Sequence, residues 1–126
     1  MNHTLRLHGV IVGHSELESI DPELGRAWGA FRPGLGYELI QPVFRLFAHA
    51  VPRDGSPKDD AMLARYYKAR QALELELQDD TGAVIRTSAV HIVDYTVEEG
   101  SAAVSLDVLI KDKSYWARRG APLDDD

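Results

Sequence analysis

Three segments between Leu73 and Lys111 repeat with a period of two residues, and turn signals separate them. In L-E-L-E-L-Q, over Leu73 to Gln78, the three leucines fall on one face of a strand. Asp79-Asp80-Thr81-Gly82 then reads as a hairpin turn. Ala83 to Val97 returns as a second strand. Its later half is apolar on both parities, Val90 and Ile92 against Val93, Tyr95 and Val97, as in a central strand covered on both faces. Glu98 to Ser101 is a further turn, and Ala102 to Lys111 completes a second hairpin with Val104, Leu106, Val108 and Ile110 inward. Consecutive hairpins commit this half of the chain to an antiparallel sheet.

The earlier half is less regular. Thr4 to Gly13 alternates as one strand. Asp21-Pro22-Glu23 carries a helix-start signal that Gly25 stops within a turn. Arg26 to Arg32 and Tyr37 to Ala48 read as two strands of a hairpin. Pro33-Gly34 forms a type II turn between them, and Pro42 lies at an edge or bulge. Val51 to Lys58 is a loop rich in proline and charge. Asp59 and Asp60 then precede Ala61 to Ala72, whose Met62, Tyr66 and Ala69 form a helical stripe. Ser114 caps a last turn over Tyr115 to Arg119.

The expected fold is α+β and β-rich. About six mostly antiparallel strands form a sheet, small barrel or sandwich, with one main helix near residues 60–72. An all-β sandwich with a helix in one connection is the alternative. The 126 residues are expected to form a single domain over 1–120, with an acidic, frayed tail over 121–126.

Composition narrows the function classes. A formal charge of −6 with scattered arginines argues against nucleic-acid binding. The absence of cysteine excludes disulfides, thiolate catalysis and cysteine-based zinc sites. No apolar run has the roughly 18 residues that a membrane helix needs. The first ten residues lack a secretory pattern, so the cytoplasm is the expected location.

Several clusters are candidates for a site. His8, His14 and Glu16 share a strand parity. On one straight strand, however, the two histidines would stand roughly 20 Å apart, too far to share a metal ion. No metal or cofactor is therefore expected. Glu16, Glu18, Asp21 and Glu23 read as a solvated acidic loop. Gly34-Leu35-Gly36 lacks the following helix of a phosphate cradle and is a turn. Period two puts His91, Val93 and Tyr95 on one strand face and Asp94 on the other, where a buried carboxylate needs partners. Trp28, Phe31, Tyr37, Arg26 and Arg32 combine apolar area with cationic donors, as binding hot spots do.

The binding candidates are His14, Glu16, Trp28, Arg32, Tyr37, His91 and Tyr95, with no catalytic set among them. The first expectation is a non-enzymatic interaction module of immunity, inhibitor or adaptor type. It would bind a protein partner or self-associate, and pairing of edge strands into a homodimer fits this reading. The second is a small-molecule binder or cofactor-free enzyme with a His/carboxylate/Arg pocket. A concave site of several hundred cubic ångströms with convergent polar groups would favour the second. An exposed Trp28 or Tyr37 on a flat surface would favour the first.

Overall fold

The computed structural model of the chain describes residues 1–99 and 104–120. Among the described residues, eight strands are arranged in one sheet: β1 (His3–Leu7), β2 (Val10–Ser15), β3 (Ser19–Asp21), β4 (Arg26–Pro33), β5 (Glu76–Gln78), β6 (Val84–Ile85), β7 (Thr87–Asp94) and β8 (Val104–Ile110). Four helices of the described residues accompany them: α1 (Gln41–Ala50), α2 (Asp60–Leu73), the single turn α3 (Thr96–Glu99) and α4 (Lys113–Arg118). A 3-10 turn at Leu35–Leu39 leads into α1. The fold is α+β with a mostly antiparallel, nearly barrel-shaped sheet.

The strand order is β6-β5-β1-β2-β4-β8-β7, and β3 joins the side of β4. The two ends of this order, β6 and β7, are halves of one chain segment bent at Arg86. The Arg86 carbonyl accepts a hydrogen bond of 3.0 Å from the Lys111 amide, just beyond β8. A single kinked strand thus serves both ends of the sheet, which curls the sheet round on itself.

The core lies inside the curl. Leu5, Val12, Ala27, Phe31, Leu77, Ile85, Val90, Ile92, Leu106 and Val108 come from all parts of the sheet and pack with Tyr115 and Trp116, and Phe44 and Tyr66 of the helix pair extend the same buried cluster at β7. Alternation delivers them. In β8, Val104, Leu106, Val108 and Ile110 are buried while Ser105, Asp107 and Leu109 turn outward. These are the inward residues that periodicity assigns to Ala102–Lys111, although Ala102 itself lies outside the described residues.

The first expected strand is a hairpin. Leu7 pairs with Val10, leaving His8 and Gly9 as a two-residue loop. Both have positive φ, 48° and 85°, the backbone of a tight turn whose twist matches that of the strands. His-Gly is a weaker signal for this turn than Asn-Gly, and unbroken alternation on either side hides the reversal. The straight-strand separation of His8 from His14 therefore does not apply.

The segment Tyr37 to Ala48 is helical, not the second strand of a hairpin. Pro42 occupies the first turn of α1, where its missing N–H costs nothing. Ile40, Phe44 and Ala48, four residues apart, are the buried stripe. The same apolar residues fit a period of two, which is why the strand reading competes. Gly34 has a φ of −100°, so Pro33-Gly34 is not a type II turn, and β4 pairs instead with β2, β3 and β8.

α2 forms as expected and runs on to Leu73. Asp59 caps it by accepting a hydrogen bond from the Met62 amide at 3.0 Å. Leu73 is thus helical, and β5 begins only at Glu76. The Asp79–Gly82 turn holds: the buried Asp79 carboxylate accepts bonds from the Thr81 amide, the Thr81 hydroxyl and the Ala83 amide. The last helix is capped by Asp112 rather than Ser114, which lies inside it. After Asp21 comes a turn that Gly25 closes by donating to the Pro22 carbonyl at 3.1 Å, with no full helix, as expected. The turn expected at Glu98 to Ser101 extends beyond the described residues, and so does the tail at 121–126.

Candidate functional site

α1 and α2 pack together against the outside of β7. Strand register fixes what they meet there. Trp28, Asp107 and His91 are cross-strand neighbours in one row over β4, β8 and β7, and Arg26, Leu109 and Ala89 form the row beside it. These side chains point away from the buried residues of the same strands. β7 ends the strand order, and the apolar residues on its outer parity are explained by the helices that cover it.

A cleft of about 690 Å³ lies between the helix pair and this outer sheet face. Its walls are largely apolar, with Phe47, Tyr67, Ala89, Val93, Tyr95 and Leu109. Polar groups converge among them. Arg26 holds Asp107 through three hydrogen bonds of 2.7 to 3.2 Å and lies 4.1 Å from the centre of the Trp28 ring. The Arg53 guanidinium stacks 3.9 Å from the centre of the Tyr95 ring. The Tyr95 hydroxyl donates to the Val51 carbonyl at 2.6 Å, tying the strand end to the loop after α1.

At the centre of the cleft is a triad of Arg70, Tyr66 and His91. Arg70 Nη1 donates to the Tyr66 hydroxyl at 3.4 Å, and that hydroxyl contacts Nδ1 of His91. Phe47 meets the His91 ring edge-on with centroids 4.5 Å apart. Burial pushes the His91 imidazole down to about 4, the Arg70 charge adds to this, and Asp107 opposes it. Burial pushes the Tyr66 phenol up to about 12, against the pull of Arg70. At neutral pH both side chains are uncharged. Among the described residues, Arg70 has no carboxylate partner and Nε2 of His91 has no hydrogen-bond partner.

Asp94 lies on the opposite face of β7 from His91, as its parity requires, and is almost fully buried. Its carboxylate accepts from the Tyr37 hydroxyl at 2.5 Å, Gln41 Nε2 at 3.1 Å, the Thr96 amide at 3.0 Å and the Thr96 hydroxyl at 2.6 Å. Arg45 Nη1 donates to the Asp94 carbonyl at 2.7 Å. Burial pushes the carboxyl up, but these bonds outweigh it and hold the group below the ordinary aspartate value. Burial and Asp94 together push the Tyr37 phenol far up. The network anchors the 3-10 turn, α1 and the start of α3 to the end of β7.

The seven candidate residues thus separate into three places. His91 and Tyr95 line the cleft, and Trp28 adjoins it beneath Arg26. Tyr37 is buried in the Asp94 network. His14, Glu16 and Arg32 are grouped elsewhere: His14 is the register partner of Arg32, and Arg32 approaches Glu16 at 3.7 Å on an exposed surface. Among the described residues, no three His, Asp or Glu side chains are gathered for a metal ion.

Tyr66, Arg70, Phe47 and Asp107 complete the cleft and are not among the candidates. Tyr66 and Arg70 are four residues apart in α2, so they meet on one helix face. That spacing is visible in the sequence, but its registration against His91 depends on tertiary packing. Comparisons with protein-family models, curated proteins and solved structures give no significant match. No helix among the described residues is long and apolar enough to cross a membrane.

Proposed function

We propose that this protein is a small-molecule-binding module whose ligand occupies the cleft between the α1/α2 pair and the outer face of β4, β8 and β7. One observation carries the reading: a concave volume of about 690 Å³ with mainly apolar walls, on which Arg70, Tyr66, His91 and the Arg26–Asp107 pair converge. Clefts of this size and chemistry are the usual form of small-ligand sites.

Binding accounts for the arrangement better than catalysis. A general acid or base works best with a pKa near the operating pH. His91 is displaced well below neutrality and Tyr66 well above it. Both are suited to neutral hydrogen bonding rather than to proton transfer.

Native mass spectrometry of protein purified without denaturation tests the reading. It should show a stoichiometric adduct of small-metabolite mass that Val93→Trp, which fills the cleft, removes without unfolding the chain. An adduct kept by the Val93→Trp protein would place binding elsewhere and overturn the proposal.

Self-association is a second reading, supported by a different surface. Val10, Ile11, Leu35 and Leu39 are all exposed, Leu35 to 95%. They come together because Gly36 lies against the Ile11 carbonyl, where a Cβ would come within 2.5 Å. An exposed apolar group of this kind suits contact with a second copy. Sedimentation velocity of the wild type and of Leu35→Asp/Leu39→Asp decides it: a dimer lost in the variant supports this reading, and a monomer at high concentration removes it.

A further inference from the structure

The direction of the hydrogen bonds in the triad defines what kind of ligand the cleft takes. A guanidinium has only donors. The Tyr66 oxygen therefore accepts from Arg70. Tyr66 is fully buried, and its own proton has one acceptor within reach among the described residues, Nδ1 of His91. A buried donor takes its available partner. With Nδ1 accepting, the neutral imidazole carries its proton on Nε2. The chain of donors runs from Arg70 through Tyr66 to His91 and leaves an N–H as the polar group of His91 not engaged by the protein.

The acceptors of the cleft are engaged in the same way. Both Asp107 oxygens are taken by Arg26. The Tyr95 hydroxyl spends its proton on the Val51 carbonyl. What the protein offers is an Arg70 guanidinium with no carboxylate partner among the described residues, and an imidazole N–H, set among aromatic and aliphatic walls. Arg53, stacked on Tyr95, adds a second cationic side chain to the cleft, so its lining favours an anion.

We propose that the ligand is a small organic acid with an apolar, planar body. Its carboxylate pairs with Arg70, it accepts a hydrogen bond from Nε2 of His91, and its body packs against Phe47, Tyr67 and Val93. This rests on the cleft being a small-molecule site and adds the class of molecule. The ligand is an acceptor-only anion, and a cationic or donor-rich analogue of the same shape is rejected because it meets donors on both sides.

Three probes of one shape test this: 2-naphthoate, 2-naphthamide and 2-naphthylmethylammonium, titrated into the wild-type protein by calorimetry. 2-Naphthoate is expected to bind roughly tenfold or more tightly than the amide, the difference that a hydrogen bond to a charged group makes. The ammonium is expected not to bind. Arg70→Met should erase the preference for the acid. Long-range proton–nitrogen spectra of the wild type should show His91 protonated at Nε2 alone, and Tyr66→Phe, which keeps the ring in the core, should release the second tautomer. Equal binding of acid and ammonium, or a proton on Nδ1 in the wild type, overturns the inference and leaves the cleft as a binding site of different preference. Failure of all three probes to bind overturns the small-molecule reading, and the inference with it.

Discussion

The Tyr66 hydroxyl of α2 meets Nδ1 of His91 on β7 in a hydrogen bond that joins the helix layer to the sheet at the centre of the cleft. Tyr66 is fully buried and meets Phe44, Phe47 and His91 ring to ring. Removing the hydroxyl alone keeps that packing. Tyr66→Phe is expected to lower stability by about 1 kcal/mol, the net worth of one hydrogen bond, in urea unfolding at pH 7. Tyr66→Ala should cost about 3 kcal/mol or more by leaving a cavity. Equal losses in the two variants would contradict the division between packing and hydrogen bonding.

Acid should weaken the fold before the carboxylates titrate. Unfolded, His91 takes up a proton near its ordinary value of 6.5; folded, it does so only near 4. Between these values the unfolded chain binds more protons, so stability falls as pH drops. Burial lowers the His3 imidazole too, which acts in the same direction. The expected loss attributable to His91 is about 2 kcal/mol between pH 7 and 4, smaller than the full shift because the side chain is partly exposed. Unfolding curves of the wild type and His91→Phe should diverge in slope across this window. Parallel curves would contradict the lowered value.

Asp94 is the hub of the hydrogen bonds that hold the end of β7. Asp94→Ala strips acceptors from the Tyr37, Gln41 and Thr96 side chains and the Thr96 amide at once, and several of these donors are buried. A loss of about 3 kcal/mol or more is expected by denaturant unfolding, against about 1 kcal/mol for Tyr37→Phe. As a carboxylate held below its ordinary value, Asp94 contributes stability above the unfolded aspartate range and loses it as pH falls through its folded value. Comparable losses in the two variants would mean that the carboxylate does not bind its partners as a set.

Two glycines separate the observed path of residues 33–39 from a simple hairpin turn. A Cβ at Gly36 would come within 2.5 Å of the Ile11 carbonyl, whereas one at Gly34 meets only ordinary contacts at 3.4 Å and beyond. Gly36→Ala is expected to destabilise by about 2 kcal/mol and Gly34→Ala by less than about 0.5 kcal/mol. A type II turn would reverse the order, because Gly34 would then need positive φ.

The two hairpins from β5 to β8 were readable in the sequence because a half-buried sheet imposes strict alternation, and Leu106, Val108 and Ile110 obey it, but the helical Leu73, the break of the Ala83–Val97 strand at Arg86 and its end in α3 at Thr96 were not. α2 was readable from its aspartate cap and helical stripe. α1 was not, because Ile40, Phe44 and Ala48 satisfy two periods and only tertiary packing chooses between them. The β1–β2 reversal was hidden because His8-Gly9 breaks no alternation. Of the cleft, His91 and Tyr95 were visible as a strand face carrying polar groups. Tyr66, Arg70 and Asp107 belong to the same site only through the packing of α2 on β7 and the register of β7 with β8, neither of which local patterning encodes.

On the proposed function, the cleft between the helix pair and the outer sheet face is where this protein binds its ligand. Screening a chemically diverse fragment set by amide chemical-shift mapping tests it without assuming a ligand. Hits are expected to concentrate on Phe47, Tyr67, Ala89, His91 and Val93. Hits concentrated on Val10, Ile11, Leu35 and Leu39, or spread without preference, would contradict it.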